Sequence, residues 1–289
     1  MAVYKRNYRS YSGSLTPMRS RWLVITRHSL AEVFESRVSV LLFVICLMPM
    51  LISAVIIYVA NSETARLLLN IGQQSGAMID NRFFFRLLQL QAWLALFLAA
   101  WIGPAMVSPD LTNGALPLFL SRPISRAGYV AGKLLVLAIV LSAVTWVPLL
   151  LLYLIQAQLA KGWLWQNMYL VPGFVTGSLL WIALLSLMAL AVSAWVRWRI
   201  VATGLMVALV FIPAGFGAVI SAVLRTQWGL MLNLPYMLTL VWSRLLRTPI
   251  GWRSEPLPVS AAWLALLVVC GLCLLMLNKR ILARQVVRG

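Results

Sequence analysis

The side chains of this chain that could do chemistry with a partner gather in one short stretch. Asp110, Arg122, Arg126, Tyr129 and Lys133 lie there, among the turn-forming residues of Ser108-Pro109-Asp110 and Ser121-Arg122-Pro123. Guanidinium groups on such a segment can pair bidentately with carboxylates, which is the chemistry of docking a soluble protein. Bond-breaking chemistry finds little to work with. A hydrolase or transferase needs positioned nucleophiles, acids or metal ligands, yet the single histidine is His28, and all six acidic residues, Glu32, Glu35, Glu63, Asp80, Asp110 and Glu255, fall outside the long apolar runs. Ion-coupled carriers usually bury ionisable groups inside their spans, so uncharged spans argue against ion coupling. Gly128-x-x-x-Gly132-Lys133 has the look of a phosphate-binding loop, but it is one spacer short, lacks the following Ser or Thr, and leads into an apolar run. ATP binding by this chain itself is therefore not expected.

The elements that must position this stretch are membrane helices. The chain is 62% hydrophobic and 10% charged, whereas about a quarter of the residues of a soluble domain are charged. Apolar runs near the ~20 residues that a helical span requires lie at 38–60, 90–107, 129–155, 173–196, 200–224 and 260–277. The expected architecture is thus an all-α integral membrane protein of six spans in one domain, 38–278. A polar, basic segment, 1–37, precedes it and a basic tail, 279–289, follows. The first run is longer than a signal-peptide core of about 7–15 residues and is expected to stay as an anchor.

Within the leading segment, Leu23, Leu30, Val33 and Phe34 recur at roughly helical spacing while the charges gather elsewhere. This predicts an amphipathic helix on the membrane surface. The last inter-span stretch, 225–259, alternates Trp228, Leu230, Leu232, Tyr236, Leu238, Val241 and Trp242 with arginines. Pro235, Pro249, Pro256 and Pro258 break it, so one or two short interfacial helices are expected rather than a span. Pro49, Pro104, Pro148 and Pro213 fall inside spans, where each removes a backbone donor and can kink the helix. Gly173-x-x-x-Gly177 allows close helix approach, either to a partner subunit or to a neighbouring span.

Charge sets the orientation. Alternating the segments between sides leaves Arg66, Arg82, Arg86, Lys161, Arg225, Arg244, Arg247 and Arg253 on one face and the other 16 of the 24 basic residues on the opposite one. The positive-inside rule places that richer face, and both termini, in the cytoplasm. The formal net charge of +18 suits contact with anionic inner-leaflet lipid. No aromatic-interleaved basic module points to nucleic acid. Cys270-x-x-Cys273 puts two thiols on one helical face that could hold a soft metal. Without a third ligand, and with the methionines better suited to filling space, packing is the expected role.

The ordered pattern Asp110, Gly114-Ala115-Leu116, Leu120-Ser121-Arg122-Pro123-Ile124-Ser125-Arg126, Tyr129, Gly132-Lys133 resembles the cytoplasmic loop of permease subunits of ATP-binding-cassette exporters of the type-2 class. Ala115 departs from the Thr usual there, and Pro117 falls where that class rarely has proline. The resemblance implies that a separate cytosolic ATPase binds ATP and Mg²⁺, so no cofactor belongs to this chain. It also implies that two permease copies, as a homodimer, face each other in a bacterial inner membrane. Asp110, Gly114, Leu116, Leu120, Arg122, Pro123, Arg126, Tyr129 and Lys133 would couple to the ATPase. Trp22, Arg27, Leu30 and Phe34 would mark the surface helix that it also contacts. Ser108, Pro109 and Asp110 have the makings of a helix start, with a capping hydroxyl, proline at the first position and a carboxylate at the positive end. A short helix is therefore expected to begin at Ser108. The competing reading from another class is a membrane scaffold that recruits a soluble partner through the same basic loop.

Overall fold

Hydrocarbon leaves no water to satisfy backbone groups, so apolar runs of this length close their hydrogen bonds internally as helices. The computed structural model describes residues 21–68, 79–112, 126–196, 198–248 and 257–283. Six of its helical segments are long and apolar enough to cross a membrane, and no strand occurs among the described residues. Helix α1 (Arg21–Glu35) leads into α2 (Arg37–Asn61), the first span, and a short α3 (Glu63–Leu68) follows. The second span is α4 (Asn81–Thr112), which extends past its apolar run at both ends. The third is split into α5 (Arg126–Val144) and α6 (Trp146–Leu159), and α7 (Trp163–Gln166) is a single turn. The fourth and fifth spans are α8 (Leu170–Trp195) and α9 (Arg199–Leu224). After a 3₁₀ turn, Trp228–Leu232, come α10 (Leu234–Leu245) and the last span, α11 (Val259–Ala283).

The split in the third span has a local cause. Pro148 has no N–H to give Val144, and its ring crowds that carbonyl. The chain breaks at Thr145, whose φ is −101° and ψ −91°. Its hydroxyl and its amide both bond back to the Leu141 carbonyl, at 2.8 and 2.9 Å, so the break leaves these groups satisfied.

The bundle is organised around α4 and α8, which run parallel. Trp181 donates its indole N–H to the Ala92 carbonyl at 3.0 Å. Further along, a Cβ at Gly103 would collide with the Ala189 Cβ, so glycine is what allows the two backbones to meet. Ser193 then donates to the Pro104 carbonyl at 3.1 Å and accepts from the Ser108 amide at 2.9 Å. At the opposite end of the bundle from Ser108, Asn61 joins the first and third spans by donating to Gln156 at 2.8 Å.

The segment after α9 forms the short helix that its pattern predicts, but its apolar side chains are turned to the protein. Met237, Leu238, Val241 and Trp242 of α10 are buried. Gly173 and Gly177 account for this. Added Cβ atoms there would press on Leu246 and Trp242, each at 2.8 Å, and Trp242 donates to the Gly177 carbonyl at 3.0 Å. The small-residue face thus serves a neighbouring element of the same chain. Asn81 secures the end of this unit by donating to the carbonyls of Leu246 and Arg247, at 3.2 and 2.8 Å.

Candidate functional site

Tyr129 and Lys133 stand one turn apart on α5, on the same side of the helix. Both reach Asp110 near the end of α4. The tyrosine hydroxyl donates to Asp110 Oδ2 at 2.7 Å, and the Lys133 ammonium lies 3.1 Å from the same oxygen. The Lys133 side chain is 6% exposed and that of Asp110 20%, so the pair is largely withdrawn from water. Lys133 also sits 5.9 Å from the centre of the Tyr129 ring. A carboxylate and an ammonium at this depth need each other, because the desolvation cost of either alone is several kcal/mol. This is the one ion pair among the described residues, and it joins the two helices that bracket residues 113–125.

Helix α1 closes over the same place. The Thr26 hydroxyl donates to the Gly132 carbonyl at 3.1 Å, in a buried position. A side chain at Gly132 would meet the Trp22 carbonyl at 3.1 Å and Thr26 Oγ1 at 3.4 Å, so glycine sets how near α1 can come to α5. The buried face of α1 is Ile25, Thr26 and Ser29, while Leu23 and Phe34 are 43% and 42% exposed. The face that packs on α5 is thus distinct from the Leu23 and Phe34 stripe that apolar spacing assigns to the membrane surface. Arg27 is exposed, Trp22 and Leu30 are half-buried, and Phe34 stands edge-on to Phe43 of α2 at 5.6 Å.

No helix starts at Ser108. Helix α4 continues through Ser108, Pro109 and Asp110 to Thr112. The reason is that the serine is engaged elsewhere. Its amide is taken by Ser193 and its hydroxyl donates to the Val196 carbonyl at 3.1 Å, so it ties α4 to the end of α8 instead of capping a new helix. Asp110 is thereby carried on the last turn of α4.

Of the nine loop residues that the sequence singles out, the structure brings Asp110, Tyr129 and Lys133 together. Arg126 heads α5, and Gly114, Leu116, Leu120, Arg122 and Pro123 lie outside the described residues. Sequence reasoning missed Thr26 and the pairing itself. The spacing of Tyr129 and Lys133 on one helical face was the available signal, since an aromatic hydroxyl and an ammonium aligned at the mouth of an apolar span call for a shared acceptor.

The latch thus ties together the two spans on either side of the basic segment 113–125. The model of the family described as ABC-2 family transporter protein matches residues 23–277. The chain belongs to this family. The match runs from α1 through α11 and so takes in the latch, α1 and all six spans. None of the curated proteins compared matches the chain. Membership makes this protein a multi-pass ABC transporter permease, a membrane component of transport, and implies association with an ABC ATPase subunit.

Proposed function

We propose that this permease is the transmembrane subunit of an ATP-driven exporter, and that the segment 108–133 receives the force of ATP hydrolysis from a cytosolic ATPase. The observation that carries the reading is the Asp110–Tyr129–Lys133 latch. Basic residues at 122 and 126 would dock on carboxylates of the ATPase. A displacement of the loop would then be delivered to α4 and α5 together, because the latch joins their ends. From α4 it would pass to α8 through Ser108 and Ser193. Helix α1, hydrogen-bonded to Gly132, would move with α5 and offer the ATPase a second contact.

ATP and Mg²⁺ would be held by the partner subunit. A second copy of this chain would complete the translocation path, and α9, of whose most apolar stretch 11% is buried, leaves a long face available for it or for lipid. The distribution of basic residues supports both termini in the cytoplasm, and the resemblance of the segment 108–133 supports export across a bacterial inner membrane.

The test is to purify the full chain in detergent with its endogenous partners, as wild type and as the Arg122→Glu/Arg126→Glu variant. An active ATPase that accompanies the wild type and is lost on charge reversal is the expected result. A chain that comes alone, or a partner indifferent to the reversal, would overturn the docking role and favour a scaffold.

A further inference from the structure

A cavity of about 180 Å³ lies beside the latch, where α1 meets the first turns of α2 and α9. Its polar lining is Ser29, Glu32, Ser36, Ser39, Lys133 and Arg199, and its apolar lining is Val33 of α1 with Ile102, Ala105 and Met106 of α4. The charges are sorted. Ser36 caps α2, accepting from the Ser39 amide, and Arg199 is the first residue of α9, so two positive helix ends border the space. Glu32 belongs to the last turn of α1, the negative end of that helix. Ser29 and Ser39, whose side chains line the cavity, are 3% and 5% exposed. Asp110 is the one anion paired with Lys133, whose ammonium has three donors. Glu32 and Arg199 have no ion pair among the described residues, Arg199 lying against the Trp101 ring at 4.6 Å.

A cavity with buried serines, cations at one wall and a carboxylate at another describes a site for a ligand that carries both charges. We infer that this cavity holds the headgroup of a zwitterionic phospholipid, a phosphoethanolamine. The phosphodiester would face Arg199, Lys133, the serine hydroxyls and the first amides of α2, and the ammonium would face Glu32. The tails have somewhere to go. Leu41 on α2 and Ile200 on α9, close to the cavity's lining residues in sequence, are 60% and 86% exposed, as expected of side chains that meet hydrocarbon. Such a lipid would fill the space between α1 and the spans and hold α1 against α5. The inference needs only the fold, and stands or falls apart from ATPase docking.

The experiment is native mass spectrometry of the full chain, stripped of lipid and then offered phosphatidylethanolamine, phosphatidylglycerol or inorganic phosphate. One phosphatidylethanolamine per chain should survive collision energies that remove the other lipids, and it should raise the melting temperature. Arg199→Gln removes a charged hydrogen bond at an exposed position and should weaken retention roughly tenfold or more. Ser39→Ala should weaken it about threefold. Glu32→Gln should abolish the preference over phosphatidylglycerol. Equal retention of all headgroups, or retention unchanged in all three variants, would overturn the inference. Inorganic phosphate that binds by itself or displaces the lipid would overturn it too, by assigning the cavity to a soluble phosphate. Each of these substitutions is small enough that unchanged helicity and elution volume can confirm the fold in the same preparation.

Discussion

Helices α8 and α9 have the same length and nearly the same hydropathy, yet they are used in opposite ways. Of the most apolar stretch of α8, 72% is buried, against 11% for α9. The difference lies in the small and polar residues. On α8, Gly173 and Gly177 admit α10, Ala189 meets Gly103, and Ser193 bridges α4, so its face is shaped for neighbours in the same chain. On α9, Gly204 and Gly215 have open space where a side chain would go. Inside a membrane both surfaces are apolar, so hydrophobicity cannot sort them. Close approach and hydrogen bonds do.

The strongest way to break this contrast is Gly103→Val. The new side chain must push α4 from α8, at a cost of about 3 kcal/mol or more, and thermal unfolding in detergent should show a poorly folded or aggregated protein. Valine at Gly204 should leave folding intact, and a collapse there would mean that α9 is packed after all. Lys133→Met comes next, because it strands the Asp110 carboxylate. Breaking a fully buried pair costs ~3–5 kcal/mol, and the partial exposure of Asp110 should bring this to roughly 2–3 kcal/mol. Adding Asp110→Asn should recover much of the loss, and a double variant no better than the single one would deny the pairing. Trp242→Phe and Trp181→Phe each remove an indole donor from a carbonyl and should cost about 1–2 kcal/mol. The smallest effect is expected from Gly204→Ala, which should stabilise α9 by about 0.5–1 kcal/mol through helix propensity and sharpens the claim that this face is open.

Much of the architecture was legible before any coordinates. Apolar runs fixed six spans because length and composition suffice for that, and the ordered loop pattern pointed to the family. What escaped depended on pairing across the chain. Ser108 carries every local signal of a helix cap, and loses that role to Ser193, a residue on a different span. The face of α1 that docks on α5, Ile25, Thr26 and Ser29, lies apart from the apolar stripe of Leu23 and Phe34, so that stripe could not name it; the close approach at Gly132 does. Gly173 and Gly177 announced close packing without naming the partner, Trp242. Asp110, Tyr129 and Lys133 were each visible, but their common oxygen appears only when the ends of α4 and α5 meet.

The most direct test of the coupling account is hydrogen exchange in the purified permease–ATPase complex, followed at residues 105–112 of α4 and 126–133 of α5 with and without a non-hydrolysable ATP analogue. The account predicts that both segments respond together in the wild type, and that Lys133→Met retains the ATPase but separates the two responses. A wild type in which neither segment responds, or a Lys133→Met complex in which both still respond as one, would contradict it.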